Sequence, residues 1–161
     1  MLDYNLVTSK ATYRMVAKDD LPVLRDLVRG FYAETLYGER SQGNIEATVR
    51  ELDLHKEKGT VFIFERGERI IGYAILINSW SNEFGGTMLF LDELYVLPAE
   101  RGQGIAGDFI DLLAKVAPKD TVVMQLEADP SKKKLMRFYG KKGFEATKGR
   151  IMIRPISWRA G

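Results

Sequence analysis

A glycine-rich turn near the middle of the chain has residue types and a spacing that bind phosphate groups. Residues 100–109 read ERGQGIAGDF, and Gly102, Gly104 and Gly107 have the G-x-G-x-x-G spacing that is typical of dinucleotide-binding turns. From Arg101 onward the same stretch also matches R-x-x-G-x-A, a second phosphate-binding pattern. Both patterns place backbone N–H groups around one site, so the neighbouring elements must decide which ligand the turn fits.

The dinucleotide interpretation explains one further residue and conflicts with the order of the elements. Glu127 follows Gly107 by about 20 residues, at the end of the next predicted strand, where a ribose-binding acid is expected. However, residues 97–101 separate the preceding strand from Gly102, and three strands with hairpin-like links come before the turn. Only one crossover follows. The sequence therefore disfavours a dinucleotide, and it also disfavours a P-loop because no G-K-[ST] follows the turn.

The turn lies in a chain whose apolar periodicity predicts both helices and strands. The patterns predict helices near residues 19–31, 44–52, 106–116 and 131–142, and strands at residues 12–16, 60–65, 69–78, 87–96 and 121–127. A hairpin around Lys148 and Gly149 is predicted to end the chain. The order β-αα-βββ-α-β-α-ββ predicts an α+β fold with a mostly antiparallel central sheet of about seven strands. Helices flank this sheet, and one parallel crossover follows the glycine turn.

The composition limits the class of protein and the chemistry. The 161 residues suit a single domain, residues 1–161, that can bury a core without crosslinks. The chain has no cysteine, and His55 is its single histidine, so we expect no metal and no cysteine nucleophile. No apolar run approaches the roughly 20 residues of a membrane span, so we expect no membrane partner and a cytoplasmic location. The net charge of +2 is too small to indicate nucleic acid by itself.

The R-x-x-G-x-A interpretation explains more of the sequence, because a strand, a turn and a helix start follow one another here. The unpaired N–H groups of the helix start and the positive end of its dipole would converge on an anion. Gly102 and Gly104 have no Cβ to block the close approach of a ligand. Arg101 supplies a nearby cation. Other proteins use this kind of turn for the pyrophosphate of coenzyme A, and we expect the same ligand here.

Two stretches of the chain resemble the GNAT superfamily, the acyl-CoA-dependent N-acetyltransferases. LDELYVLPAERGQGIAGDFI (residues 91–110) resembles the superfamily's strand, pyrophosphate loop and helix. RFYGKKGF (residues 137–144) resembles its late tyrosine-bearing helix, which runs into a Gly-Phe strand start. The resemblance covers most of the chain in element order. It implies a GNAT-like sheet, acetyl-CoA as cosubstrate, and transfer of the acetyl group to a primary amine.

The resemblance also implies roles for three side chains. Asp92 and Glu93 are adjacent on a strand and point to opposite faces, so one of them can face the active-site cleft. In related enzymes the base is often a carboxylate four residues before the strand's final valine, which is Val96 here, and that position is Asp92. A bulge in this strand would give the role to Glu93, and water is a third alternative. Tyr139 stands at the position of the tyrosine that protonates the departing CoA thiolate.

The same resemblance assigns cofactor contacts to the strand and the turn. A backbone amide near Val96 would stabilise the thioester oxygen, and the strand edge would pair with the pantetheine amides. The residues expected to bind the cofactor in this region are Leu94, Tyr95, Val96, Arg101, Gly102, Gln103, Gly104, Ile105, Ala106 and Gly107.

The late helix departs from the family pattern and is strongly basic. Lys132 stands where many relatives carry an asparagine that bonds pantetheine, and Leu135 replaces a small alanine. We expect Lys132 and Arg137 to help bind CoA, with its 3′-phosphate as the anion. A solvated basic face is the alternative. A nucleic-acid patch is disfavoured because no stacking platform accompanies the helix.

Acidic and aromatic side chains in two segments form a candidate acceptor site, which the resemblance places near the first helices and the strand loops. Together they would attract a cationic amine through charge and cation–π contacts. These residues are Tyr32, Glu34, Tyr37, Glu39, Trp80, Glu83 and Phe84. The acceptor is then a small cationic molecule or a peptide amine. A non-catalytic acyl-CoA-binding or regulatory module is the alternative function, and a homodimer is expected through a C-terminal tail that contains Trp158.

Overall fold

The computed structural model describes residues 5–35, 38 and 41–156, which form one six-stranded sheet with four α-helices around it. The strands are β1 (Leu6–Val7), β2 (Thr12–Met15), β3 (Gly59–Arg66), β4 (Arg69–Ser81), β5 (Gly86–Val96) and β6 (Thr121–Leu126). The helices are α1 (Leu21–Glu34), α2 (Ile45–Leu54), α3 (Ile105–Val116) and α4 (Lys133–Lys141). The strands lie side by side in chain order, and every pair is antiparallel except β5 and β6. Because a parallel pair needs a crossover, α3 connects these two strands.

The sheet has an apolar core on each face, because helices cover both. Successive residues of β3 alternate between the two cores: Phe62 and Phe64 belong to one, and Ile63 belongs to the other. The rings of Phe62 and Phe64 lie 5.3 and 4.7 Å from that of Phe109 in α3. Ile63 packs in the cluster that contains Leu24 of α1. This two-sided burial explains why β3 and β4 are nearly continuous apolar runs.

Local signals in the sequence set the starts of the helices. Asn44 precedes α2, and its Oδ1 accepts a hydrogen bond from the N–H of Ala47 at 3.1 Å. Pro22 lies in the first turn of α1, where a missing N–H costs nothing. α3 begins directly after Gly104, which has the left-handed φ of 83° that glycine adopts without strain.

A β-bulge interrupts the pairing of β4 with β5. Ile75 pairs with Glu93 and Leu76 pairs with Leu91, so Asp92 is an extra residue on β5. Such a bulge bends the strand and redirects the side chains around it. The sequence analysis allowed for a bulge here, and the structure places it at Asp92.

β5 and β6 diverge at the bulge. Their ladder ends at the pair of Leu91 with Leu126, while β5 continues to Val96. Residues 92–96 therefore have β4 on one side and an open edge on the other. This open edge is the main structural feature around which the candidate site is built.

The structure confirms the predicted α+β class, the four helices and the parallel crossover, and it corrects the C-terminal end. The hairpin expected around Lys148 and Gly149 was wrong, because residues 144–156 form no strand. Met152 is 92% exposed there, and an alternating sequence forms a strand only where a neighbour bonds its backbone. β1 was missed because two residues give no periodicity. The sheet therefore has six strands instead of about seven, because the two strands of the predicted hairpin are absent from the described residues and β1 is added.

Three residues of the sequence-based hypotheses lie outside the described residues: Tyr37 and Glu39 of the acceptor site, and Trp158 of the expected dimer tail. Among residues 5–35, 38 and 41–156, no helix combines the length and the apolar character needed to cross a membrane.

Candidate active site

A cavity of about 620 Å³ lies where β5 and β6 diverge. Residues 90–96 form one wall and residues 126–130, at and beyond the end of β6, form the other. The end of α1 and the residues of α4 complete the lining. The volume is typical of a small-molecule site. The cavity brings together Asp92, Glu93 and Tyr139, three residues that the sequence analysis had grouped as catalytic.

The open edge of β5 directs backbone groups into this cavity. The N–H of Leu97 donates to the carbonyl of Ile71 in β4 at 2.9 Å. Because successive residues of a strand direct their backbone groups to opposite sides, Leu94 and Val96 direct theirs away from β4. The carbonyl of Val96 accepts a hydrogen bond from Nε of Arg101 at 2.8 Å, which agrees with this orientation. The N–H groups of Leu94 and Val96 are therefore available to an extended ligand.

Glu93 is buried, and two tyrosines occupy its carboxylate. Tyr32 donates to Oε1 at 2.7 Å and Tyr73 donates to Oε2 at 2.6 Å. Burial raises the pKa of Glu93, the two tyrosine hydrogen bonds oppose this rise, and the charge of Asp92 adds to it. The carboxylate thus links α1, β4 and β5. These two hydrogen bonds and its burial make it a less accessible proton acceptor than a carboxylate that is open to the cavity.

Asp92 has its side chain in the cavity, and no hydrogen bond or ion pair to a described residue occupies its carboxylate. Its pKa is raised, first because the surrounding walls displace water and then because the charge of Glu127 lies nearby. Glu127 follows the last residue of β6 and lines the same cavity. The sequence analysis considered Glu127 only as a ribose ligand. Its position at the end of a strand parallel to that of Asp92 was the signal that placed the two acids together.

Tyr139 reaches the cavity from α4. Its ring packs against Phe138 and Phe144, with centroid distances of 5.1 and 5.6 Å. Burial raises the pKa of Tyr139 to about 12. Its hydroxyl has no hydrogen-bond partner among the described residues and faces the same space as Asp92. The phenol therefore stays protonated at neutral pH and can donate a hydrogen bond to a ligand.

The glycine turn has the conformation that a bound anion needs. Gly102 and Gly104 have left-handed φ values of 77° and 83°. A Cβ at Gly102 would meet no atom within 4 Å, so the space outside the turn is open. α3 starts after Gly104 with no side chain capping it, so its first-turn N–H groups lack a side-chain partner. Lys10 lies beside this turn and forms a 3.0 Å ion pair with Asp108.

A buried acid holds the short segment that leads into this turn. Glu100 is only 9% exposed, and its carboxylate pairs with Arg66 at 2.6 Å and with Arg69 at 3.2 Å. These two arginines come from the ends of β3 and β4. They therefore fix the start of the turn relative to the sheet.

Arg101 does not extend toward the anion site in this structure. Its guanidinium pairs with the carboxylate of Glu34, the last residue of α1, at 2.9 and 3.0 Å. It also lies over the ring of Tyr95, 5.2 Å from the centroid. Lys132 donates its ammonium to the backbone carbonyl of Glu34 at 2.5 Å. These contacts connect α1, β5 and the start of α4 across the mouth of the cavity.

The structure brings some of the sequence-predicted residues into the cavity and leaves others outside. Tyr32, Glu34, Leu94, Tyr95, Val96, Ala106 and Lys132 contribute to its lining. Gln103 and Arg137 are exposed and do not line the cavity. Three exposed residues of the β4–β5 hairpin also lie outside the cavity lining: Trp80, Glu83 and Phe84. The lining also contains Glu127 and Thr35, for which the sequence analysis had no such role.

Among the described residues, no group of three or more His, Asp and Glu side chains is arranged to hold a metal ion.

The family match agrees with this geometry. The model of the acetyltransferase (GNAT) family matches residues 24–144, which include the open edge of β5, the glycine turn and Tyr139. The chain belongs to the GNAT acetyltransferase family. A search of curated protein sequences gives no match.

Solved structures share the fold at low sequence identity. "A possible acetyltransferase from Clostridium difficile 630" is 16% identical, with a TM-score of 0.75 over 92% of this chain and 99% of that one. An aminoglycoside N-acetyltransferase in complex with CoA is 21% identical, with a TM-score of 0.72 over 90% of this chain and 94% of that one. A transcriptional regulator from Bacillus halodurans C-125 is 19% identical, with a TM-score of 0.71 over 89% and 99%.

Proposed function

We propose that the protein is an acetyl-CoA-dependent N-acetyltransferase that transfers the acetyl group to a primary amine. The proposal rests on one observation. The open edge of β5, Asp92 and Tyr139 line the same cavity, beside an open glycine turn. Each of these parts has a chemical task in acyl transfer to an amine.

The turn fits the diphosphate of acetyl-CoA, and the strand edge fits its pantetheine arm. The first-turn N–H groups of α3 and the open space at Gly102 suit a diphosphate. The outward-facing N–H groups of Leu94 and Val96 suit the amides of pantetheine, which would lie along β5 like an added strand. The N–H of Val96 is then the donor for the thioester oxygen as it gains negative charge. Bound acetyl-CoA supplies the activated acetyl group.

Asp92 is the proposed base. A free alkylamine has a pKa near 10.4 and is mostly protonated at neutral pH, so it must lose a proton before it attacks the thioester. Asp92 has an unoccupied carboxylate in the cavity and a raised pKa, and both properties suit proton transfer. Glu93 is less suitable because Tyr32 and Tyr73 already hold both of its oxygens.

Tyr139 is the proposed donor to the departing thiolate. A thiol has a pKa near 8.5 and Tyr139 a pKa of about 12, so complete proton transfer would be uphill by about 5 kcal/mol. We therefore expect the hydroxyl to stabilise the departing thiolate by hydrogen bonding. The thiolate then takes its proton from water, and the amine nitrogen releases its second proton as the amide forms.

The acceptor is proposed to be a small cationic molecule. The cavity is lined by Tyr32, Glu34, Asp92 and Glu127, so an ammonium entering it meets carboxylates and an aromatic face. One structural relative is an aminoglycoside N-acetyltransferase, which acts on an amine of this kind. A peptide amine is the other acceptor that this lining admits.

The deciding experiment measures free-thiol release from acetyl-CoA across a panel of mono-, di- and polyamines and peptides. We expect turnover with at least one cationic amine, and a loss of about 10²–10⁴-fold in kcat/KM for Asp92→Asn. Wild-type protein that binds neither acetyl-CoA nor CoA at millimolar concentration would contradict the proposal.

A non-catalytic acyl-CoA-binding or regulatory module is the second candidate. One protein with this fold is a transcriptional regulator, so the fold alone does not require turnover. CoA binding with no thiol release on any amine would favour the module. A cytoplasmic location and a homodimer remain predictions, and light scattering would test the second.

A further inference from the structure

We propose that Glu34 binds a second cationic group of the acceptor, and that Arg101 covers Glu34 until the diphosphate of the cofactor draws it away. This inference rests on the proposed function and adds a substrate class, namely amines that carry at least two cationic groups.

The position of Arg101 is the first observation. It lies directly before Gly102 in the glycine turn, yet its guanidinium turns back to the carboxylate of Glu34 and to the carbonyl of Val96. The same group stacks on Tyr95. In this arrangement Arg101 neutralises an acid of the acceptor cavity and does not serve the anion site beside it.

The Arg101–Glu34 pair is two-pronged but open to solvent. The two side chains are 42% and 43% exposed, so water and salt screen the pair. A diphosphate on the turn would offer Arg101 a charge-assisted contact of the same two-pronged kind, with more than one negative charge. Cofactor binding would therefore compete directly with Glu34 for the guanidinium.

Glu34 keeps its place when Arg101 leaves. Its backbone carbonyl accepts the ammonium of Lys132, and this bond does not involve the Glu34 side chain. The freed carboxylate would then line the cavity without the guanidinium, with the Lys132 ammonium still bound to the neighbouring backbone carbonyl. It would lie next to Thr35, whose buried hydroxyl has no hydrogen-bond partner in the described chain. An ammonium group of the acceptor would replace the guanidinium there.

The reacting amine needs a different acid. It must lose its proton before attack, and Asp92 in the β5 wall suits that step, whereas an ammonium held by Glu34 stays charged. An acceptor with two or more amines would thus use both acids: Asp92 would take a proton from the reacting amine, and Glu34 would bind a second amine that stays charged. Because one ligand uncovers the site of the other, cofactor and acceptor should each raise the affinity for the other by the same factor.

The first test is a double-mutant cycle on CoA affinity, measured by calorimetry with CoA alone. We expect Glu34→Gln to tighten CoA binding by about twofold to fivefold, because it removes the competitor for Arg101. Arg101→Met should weaken binding, and Glu34→Gln should have no further effect in the Arg101→Met background. Asp26→Asn, an exposed acid on α1 that pairs only locally with Arg29, is the matched control.

The second test titrates spermidine, with n-butylamine as the single-amine comparison, in the absence and presence of saturating CoA. Spermidine should bind more tightly with CoA present, and Glu34→Gln should remove this difference. CoA affinity that is unchanged or weaker in Glu34→Gln would overturn the exchange, and equal spermidine affinity with and without CoA would overturn the role of Glu34. Wild-type protein that fails to bind CoA at all would instead contradict the proposed function.

Discussion

At the scale of single residues, two neighbouring carboxylates have different surroundings. Glu93 is buried and held by Tyr32 and Tyr73, whereas Asp92 lies in the cavity with an unoccupied carboxylate. The bulge at Asp92 is the cause, because it changes which side chain of β5 faces which side. Burial and the charge of Glu127 then raise the pKa of Asp92. The chemistry of the site is thus set by its environment as much as by residue type.

Glu127→Gln should shift the acidic limb of the pH profile of kcat/KM to lower pH. The charge of Glu127 helps to raise the pKa of Asp92, so its removal lets Asp92 lose its proton at lower pH. The measurement is thiol release across a pH series, with Asp53→Asn, an exposed acid on α2, as control. If the acidic limb stays in place or moves to higher pH in the variant, then Glu127 does not raise the pKa of Asp92.

Tyr139→Phe should lower kcat by about 10²-fold, near the low end of the range for a general acid, because we expect the phenol to donate only a hydrogen bond. Its ring contacts with Phe138 and Phe144 remain in the variant, so the affinity for CoA should change by less than about twofold. Single-turnover kinetics and calorimetry separate the two effects. A loss confined to CoA affinity would assign Tyr139 to packing.

At the scale of elements, the site depends on a strand that loses its partner and on a turn that starts a helix. The ladder of β5 with β6 ends at Leu91, which opens the edge that a cofactor can pair with. Glu100, held by Arg66 and Arg69, fixes the turn that follows. The turn itself needs left-handed backbone at Gly102 and Gly104.

Gly102→Ala and Gly67→Ala form a matched pair that separates strain from ligand binding. Both glycines have positive φ, 77° and 61°, and a Cβ would meet no atom within 4 Å at either position. Each variant should lose about 1–2 kcal/mol of unfolding free energy. Only Gly102→Ala should also weaken CoA binding, by about tenfold or more, because the methyl group enters the space of the diphosphate. Equal CoA affinity in the two variants would place the diphosphate elsewhere.

At the scale of the whole molecule, the carboxylates of Glu93 and Asp92 reduce stability at neutral pH. The pKa of Glu93 is raised in the folded protein, so the folded state holds its proton at a pH where the unfolded chain has lost it. The stability from this group is fully present below the unfolded pKa of about 4.3, and it is lost as the pH rises through the higher folded value. Asp92 contributes with the same sign.

Glu93→Gln should therefore become more stable relative to wild type as the pH rises from 4 to 8. The variant has no carboxylate to ionise in the core, so the difference in unfolding free energy between variant and wild type should increase with pH. Urea unfolding at pH 4, 6 and 8 measures it. Asp20→Asn is the opposite case, because hydrogen bonds from Arg14 lower the pKa of Asp20. Its difference should change only below a pH of about 4, so it should stay nearly constant across the three measured pH values. A flat or falling difference for Glu93→Gln would contradict the raised pKa.

The sequence by itself determined the elements, the glycine turn and the identities of the candidate catalytic residues. Apolar periodicity located the four helices and five of the six strands, because burial of one or both faces leaves a repeating signal in the chain. The turn after Arg101 was predictable because Gly102 and Gly104 adopt left-handed backbone that favours glycine. The two stretches that resemble GNAT proteins brought Asp92, Glu93 and Tyr139 into one hypothesis.

Only the tertiary structure decided how these residues relate to one another. The bulge at Asp92, the pairing of Arg101 with Glu34 and the approach of Glu127 to Asp92 all join residues that are distant in the chain or that depend on strand register. The predicted C-terminal hairpin failed for the same reason, since alternation in a segment does not provide the neighbouring strand that it needs. Local sequence sets what each segment favours, while long-range contacts select which side chains meet.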